Sequence, residues 1–81
     1  RPQAPQLRRS ASGTVAIEPA AQGAAAFVWA VWRRRGAEWR FEVLPAKTAA
    51  QLSGGDDLLV VRGVDALGHE GEAAVLRAIQ P

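Results

Sequence analysis

Apolar and polar residues alternate along much of the chain with a period of two, which is the period of side chains on a β-strand. The pattern predicts strands at 7–11, 14–18, 25–33, 39–43 and 58–64. Segments that contain Gly or Pro separate them, as is typical of turns and loops. Residues 58–64 are apolar on both faces, as in the central strand of a sheet. The chain is therefore predicted to be all-β.

Two further segments are ambiguous in their secondary structure. Residues 47–52 fit either a helical turn or a short strand, and both alternatives stay open. Residues 72–79 have good helix propensity and place three apolar residues on one helical face, but eight residues make a marginal helix. We favour a strand at 72–79, returned beside 58–64 by an acidic turn at 65–71, because the family resemblance described below implies a last strand after that turn.

Segments 25–33 and 39–43 are predicted to form a hairpin, and its register decides which side chains enter the core. We prefer the register that pairs Val31 with Phe41 and Trp29 with Val43. This register gathers those four residues and Trp39 on one apolar face. All five are therefore expected to face the core.

The same register predicts an amphipathic outer face. Trp32 lies opposite Arg40 there, with a cation–π contact between them, and Ala30 lies opposite Glu42. A slip by one residue would set Trp32 opposite Trp39, but it would also place charged side chains against the core residues of both strands, so we reject it. Trp32 is therefore expected to be at least partly exposed.

Size and composition fit one small domain. The chain has 81 residues, near the lower limit for a single core, and has no cysteine for disulfides or thiolate metal sites. It begins at Arg1 and contains no methionine, so we expect a piece of a longer protein. Residues 1–6 are predicted to be a linker from an upstream domain, and 7–80 the domain itself.

The expected fold is a two-sheet Greek-key sandwich of about seven strands. The chain has no run of 18 apolar residues, so no membrane span is expected. Net charge is +2, with short basic clusters at 8–9 and 33–35. A nucleic-acid interface needs a broad basic face with stacking aromatic residues, so no nucleic-acid partner is expected.

Candidate catalytic residues are few. The single histidine, His69, excludes a metal site with two His ligands, and it is predicted to be a turn residue. A formal Ser-His-Asp set exists in Asp65, His69 and one of Ser10, Ser12 and Ser53, but no nucleophile elbow surrounds any of these serines.

Acidic residues at 56, 57, 65 and 70 lie in or beside turns rather than around a cleft, so they do not indicate paired catalytic carboxylates. They also lack the loop motif of a calcium site. Asp65 is instead predicted to accept hydrogen bonds from turn amides. No enzymatic activity, metal or cofactor is expected.

The segment Leu59-x-Val61-x-Gly63-Val64-Asp65-x-x-Gly68-His69-Glu70-Gly71 resembles a pattern of bacterial fibronectin type III-like domains. There the penultimate strand reads aromatic-x-Val-x-Ala-Val-Asp and is followed by a Gly-Asn-Glu-Ser turn. Segments 15–19, 27–33 and 39–43 look like the second strand, the third strand and its hairpin partner, so the resemblance covers about residues 5 to 80. This chain has Leu59 where the family usually has Tyr, and Ile17 where it usually has Trp.

The Trp-rich hairpin together with residues 61–71 looks like C-terminal modules of exported bacterial proteins related to glycoside hydrolases. The resemblance implies a non-catalytic accessory or spacer module that contacts a neighbouring domain of the same chain. It also implies a secreted, periplasmic or cell-envelope location.

Two alternative functions are considered, one on the predicted outer face and one through contacts at sheet edges or loops. In a carbohydrate-binding module, Trp32 would stack on a sugar ring, with Arg40 and Glu42 as its polar partners. The other alternative is a protein–protein interaction module of the cell envelope. A purely structural role for Trp32, covered by the stem of Arg34 or Arg40, also stays open.

Overall fold

The computed structural model describes residues 2–46 and 50–77, and every regular element in these ranges is a β-strand. The strands are β1 (Gln6–Arg9), β2 (Val15–Glu18), β3 (Val28–Arg35), β4 (Glu38–Pro45), β5 (Ala50–Leu52), β6 (Leu58–Val64) and β7 (Glu70–Arg77). No helix in the described ranges is long and apolar enough to cross a membrane. The prediction of an all-β fold with about seven strands is confirmed.

The strands form two antiparallel sheets, with the orders β1-β2-β5 and β4-β3-β6-β7. The chain passes between the sheets at β2–β3, β4–β5 and β5–β6. Strand β2 therefore pairs with β5, and β3 pairs with β6, although neither pair is consecutive in sequence. This crossed order is that of a Greek-key sandwich rather than a meander.

The ambiguous segments are strands wherever the structure describes them. Strand β7 runs from Glu70 to Arg77, which confirms the strand alternative for most of 72–79, and residues 78–79 lie outside the described part. Of residues 47–52, the last three form β5 and 47–49 lie outside the described part. Residue 80 of the predicted domain lies outside it as well.

The hydrophobic core lies between the two sheets and is built from inward-facing alternate positions of the strands. Its buried members are Val15, Ile17, Trp29, Val31, Leu52, Leu59 and Val61. Trp29 lies opposite Gly63 on β6, and a Cβ at Gly63 would come within 3.2 Å of the Trp29 ring. The absence of a side chain at Gly63 thus lets the indole cross the neighbouring strand.

Most of the predicted linker lies against the sandwich. Pro2 and Pro5 are buried, and Pro2 forms an isolated antiparallel bridge with Gly23. The Glu72 N–H donates to the Pro2 carbonyl at 3.2 Å. Gly71 leaves room for that carbonyl, because a Cβ at Gly71 would collide with it.

The preferred register of the β3–β4 hairpin is wrong, because the loop is shorter than that register requires. Pairing Val31 with Phe41 needs a three-residue loop. The structure has the two-residue loop Gly36-Ala37, and Val31 lies opposite Glu42. Gly36 has a φ of 60°, and no other residue type has a positive φ in the described ranges, which matches a type II′ turn.

The change of register moves the side chains of β4 to the opposite face from the one predicted. Trp39, Phe41 and Val43 point outward and are 52%, 57% and 53% exposed. Arg40 and Glu42 lie on the inner side of the sheet. Charged groups are tolerated there because β4 is an edge strand whose inner side solvent reaches, and the Arg40 side chain is 79% exposed. The core positions of Trp29 and Val31 are confirmed.

Two valines on adjacent strands test this register. Val31→Ala removes two methyl groups from a fully buried position and is expected to lower the free energy of unfolding by about 2 kcal/mol. Val43→Ala is expected to change it by less than about 0.5 kcal/mol, because Val43 is half-exposed. Urea denaturation followed by Trp fluorescence measures both. A loss near 2 kcal/mol for Val43→Ala would contradict the observed register.

Candidate binding surface

The outward side of the four-stranded sheet carries three rows of side chains that cross all four strands. Strand pairing aligns each row in the order β4, β3, β6, β7. The rows are Trp39, Arg34, Leu58 and Arg77; then Phe41, Trp32, Val60 and Val75; then Val43, Ala30, Arg62 and Ala73. We call these twelve residues the outer face. Nine are apolar, three are arginines and none is acidic.

Aromatic side chains concentrate on the β3–β4 half of the outer face. The rings of Trp32 and Phe41 are 5.0 Å apart between centroids, with 47° between their planes, which is a favourable tilted pairing. The Arg34 guanidinium lies 5.9 Å from the centroid of the Trp39 ring, within cation–π range. Trp32 is half-buried beneath these neighbours, and its partial exposure is confirmed. A shallow depression of about 350 Å³ is lined by Trp32, Trp39, Val60 and Arg62.

The three arginines of the outer face form no ion pair within residues 2–46 and 50–77. Arg62 donates to the Gly71 carbonyl at 3.0 Å. The Nε of Arg34 is shielded from solvent and has no hydrogen-bond partner among the described residues. The positive charge of the outer face is therefore not neutralised by the carboxylates of this part of the chain.

The structure does not bring the three predicted site residues together. Trp32 lies on the outer face, whereas Arg40 and Glu42 lie on the opposite side of the same hairpin. The Arg40 Nε donates to Glu38 at 3.1 Å, and Glu42 accepts a hydrogen bond from Arg33. Arg40 and Glu42 are therefore not placed to contact a sugar ring stacked on Trp32.

Sequence reasoning missed two exposed aromatic residues of this surface, Trp39 and Phe41, because it placed them in the core. The signal that identifies them is the Gly36-Ala37 pair. A glycine in the first position of a two-residue loop is typical of a type II′ hairpin, and a two-residue loop that begins at Gly36 sets the observed register.

Arg33 joins the hairpin to the β5–β6 loop on the inner side of the sheet. Its Nε donates to Asp56 at 2.7 Å and its Nη1 to Glu42 at 3.2 Å. Its Nη2 donates to both the carbonyl and the hydroxyl of Ser53, each at 2.8 Å. Burial alone would lower the pKa of Arg33, but hydrogen bonds and charges from Asp56 and then Glu42 outweigh it and raise that pKa. Glu42 therefore has a structural role.

Replacing Arg33 tests the strength of this junction. The side chains of Arg33 and Asp56 are 16% and 13% exposed, so Arg33→Met leaves the poorly solvated Asp56 with only the more distant Arg35, at 3.8 Å, as a cation. The expected loss in the free energy of unfolding is about 2 kcal/mol, less than for a fully buried pair.

Arg8→Met is the matched control, because the Arg8–Glu18 pair is well exposed and its loss is expected to cost less than about 1 kcal/mol. Urea denaturation compares the two variants. Equal losses would show that the Arg33 junction contributes no more than a surface ion pair.

Asp65 organises the turn between β6 and β7, as predicted. Its Oδ1 accepts the N–H groups of Leu67 at 3.0 Å and of His69 at 2.9 Å. Its Oδ2 lies 3.2 Å from Nδ1 of His69. The His69 N–H is the largest cause that lowers the pKa of Asp65, followed by the Leu67 N–H and the His69 ring, and together they outweigh desolvation.

No serine joins Asp65 and His69 into a triad. Ser10 and Ser12 form hydrogen bonds with each other and with Thr14, and Ser53 binds Arg33. Among the residues that the structure describes, no group of three or more side chains has the composition to hold a metal ion.

The lowered pKa of Asp65 predicts a pH-dependent contribution to stability. Because the folded pKa lies below the unfolded value of about 4, the contribution is fully present above that value and is lost as pH falls through the folded pKa. Asp65→Asn is therefore expected to be less stable than the wild type at pH 7, with a difference that shrinks below pH ~4. Thermal unfolding by circular dichroism across pH 2.5–7 checks this. A difference that is constant over that range would contradict the ionised role of Asp65.

The fold and this surface define a small all-β sandwich with an apolar, arginine-bearing sheet face. Comparisons of the chain with protein-family models, with curated proteins and with solved structures find no match.

Proposed function

We propose that this chain is a non-catalytic accessory module that docks onto a neighbouring domain of the same polypeptide through its outer face. The observation that carries the proposal is the second row of that face. Phe41, Trp32, Val60 and Val75 form an apolar line across all four strands on the side of the sheet that faces solvent. Contiguous apolar surface of this kind marks interaction sites, whereas scattered exposed apolar residues do not.

The size of the outer face suits docking between tethered domains. With strands about 4.8 Å apart and rows about 6.8 Å apart, twelve residues cover roughly 400 Å². Burying this area against an equal partner area removes roughly 800 Å² from solvent, which is within the roughly 600–1,500 Å² typical of interfaces between domains of one chain. Stable complexes between separate proteins bury more, about 1,200–2,000 Å². A tethered partner is therefore the better fit.

The charge of the outer face defines the chemistry of the partner. Arg34 and Arg77 lie on one side of the apolar row and Arg62 on the other. A partner surface with apolar side chains at its centre and carboxylates around them would be complementary to this arrangement. The aliphatic stems of the arginines would extend the apolar contact.

The resemblance to fibronectin type III-like modules supports the same role, and the seven-stranded, two-sheet architecture agrees with it. We extend the proposal accordingly to an exported bacterial protein that acts on polysaccharide. The module would work in the periplasm, in the cell envelope or outside the cell.

Carbohydrate binding is the second candidate, and the depression beside Trp39 favours it. Trp39 is half-exposed, with Arg34 over its ring at 5.9 Å from the centroid, and the part of the ring that lines the depression together with Arg62 could stack on a sugar. In this version Trp39 replaces Trp32 as the main stacking residue, and Arg62 replaces Arg40 and Glu42 as the polar partner.

Hydroxyl-radical footprinting tests the docking proposal by comparing the 81-residue chain with the complete polypeptide that contains it. Oxidation of Trp39 and Phe41 is expected to fall markedly in the complete polypeptide, because the neighbouring domain covers the outer face. Leu67 is the control: it is 83% exposed in the β6–β7 turn, away from the outer face, and its oxidation is expected to stay the same.

Trp39→Asp in the complete polypeptide is expected to restore the oxidation of Phe41, because a carboxylate would disrupt the apolar contact. Equal oxidation of Trp39 in the two chains would contradict docking. A glycan that quenches Trp fluorescence in the isolated chain, with the effect lost in Trp39→Ala, would favour the carbohydrate candidate instead.

A further inference from the structure

Strand β4 is a long and open sheet edge. It has eight residues, and within the described ranges no strand pairs with the side of β4 opposite β3. The edges of the smaller sheet are shorter, with four residues in β1 and three in β5. The remaining edge, β7, is approached by β1, since Arg9 donates to the Arg77 carbonyl at 3.2 Å. Edges of this length are templates for pairing with another strand.

The hairpin geometry shows which backbone groups of β4 are available. In a hairpin with a two-residue loop, the pair that flanks the loop exchanges two hydrogen bonds, and every second pair after it does the same. Here the flanking pair is Arg35–Glu38, so the even-numbered residues of β4 direct their N–H and C=O groups toward β3. The backbone groups of Trp39, Phe41 and Val43 therefore point outward. Pro45, which has no N–H, falls in the outward set, where β3 does not need one.

We propose that β4 pairs antiparallel with β4 of a second copy of this chain, with Phe41 opposite Phe41 of the partner subunit. Trp39 then lies opposite Val43 of the partner subunit, and the reverse pair follows from two-fold symmetry. The three outward N–H groups of each copy all find a carbonyl across the interface, which gives six hydrogen bonds.

Charge complementarity selects this register. It places Arg40 opposite Glu42 of the partner subunit, twice in the dimer, and both side chains are accessible at the edge. A shift by two residues in one direction sets Arg40 against Arg40 of the partner subunit. The opposite shift sets Glu42 against Glu42 of the partner subunit and brings Pro45, which has no N–H, into the hydrogen-bonded pairs. Among these three registers, the one centred on Phe41 alone pairs opposite charges.

The dimer would join two four-stranded sheets into one sheet of eight strands. The apolar rows of the two outer faces would meet at the Phe41 pair and form a single surface of roughly 800 Å² that stays open to solvent. The inference depends on the edge of the sheet, whereas the docking proposal depends on its outer face. An experiment that contradicts the dimer therefore does not contradict the docking proposal, and the reverse also holds.

A charge exchange across the edge tests the inference. The 81-residue wild type is expected to dimerise with increasing concentration in sedimentation velocity. Arg40→Glu and Glu42→Arg each place like charges opposite one another in both pairs, so each variant alone is expected to dimerise at least about tenfold more weakly. An equimolar mixture of the two is expected to recover dimer, because a carboxylate at position 40 of one copy then faces a guanidinium at position 42 of the other, and the reverse pair is also complementary.

Arg8→Glu is the control, since it makes the same charge change on the β1 edge and is expected to leave dimerisation unchanged. Because Glu42→Arg also removes a partner of Arg33, circular dichroism checks that this variant is folded. Val43→Pro is a second variant: it removes one outward-pointing N–H of β4 and keeps the hydrogen bonds between β3 and β4. Val43→Pro is expected to weaken the dimer. A wild type that remains monomeric up to about 1 mM, or variants at positions 40 and 43 that dimerise as the wild type does, would overturn the proposal.

Discussion

The length of the β3–β4 loop is the constraint on which the surface of this protein depends. Side chains on a strand alternate between the two faces of its sheet, so one residue more or fewer in the loop exchanges the faces of β4. With the two-residue loop Gly36-Ala37, the aromatic residues of β4 face solvent and its charged residues face inward. The Arg33 junction, which holds Glu42 on the inner side, agrees with this register and not with the one that pairs Val31 with Phe41.

The same constraint gives the three tryptophans three different roles. Trp29 fills the core beside Gly63, Trp32 supports the centre of the outer face beneath Phe41, and Trp39 lies exposed at its edge under Arg34. One sheet thus supplies a packed inner side, a solvent-facing apolar side and an open edge. The docking proposal uses the side chains of the solvent-facing side, whereas the dimer proposal uses the backbone groups of the open edge; Trp39, Phe41 and Val43 of β4 belong to both.

Much of the fold could be predicted from the sequence, because alternation of apolar residues and turn chemistry are local signals. Leu58–Val64 was predicted with its observed bounds, and the hydrogen bonds of Asp65 followed from its position in a turn. The hairpin register could not be chosen by the rule that charges avoid the core side. That rule fails at Arg40 and Glu42, because β4 is an edge strand whose inner side is accessible to solvent. The grouping of Trp32 with these two residues failed for the same reason.

Nuclear Overhauser effects between backbone Hα protons measure the hairpin register most directly. Residues opposite each other in a pair without mutual hydrogen bonds have Cα atoms about 4.5 Å apart, close enough for a strong Hα–Hα signal. The observed register predicts such signals between Trp32 and Phe41 and between Ala30 and Val43. A signal that pairs Phe41 with Val31 instead would return the aromatic residues of β4 to the core side and would contradict the proposed outer face.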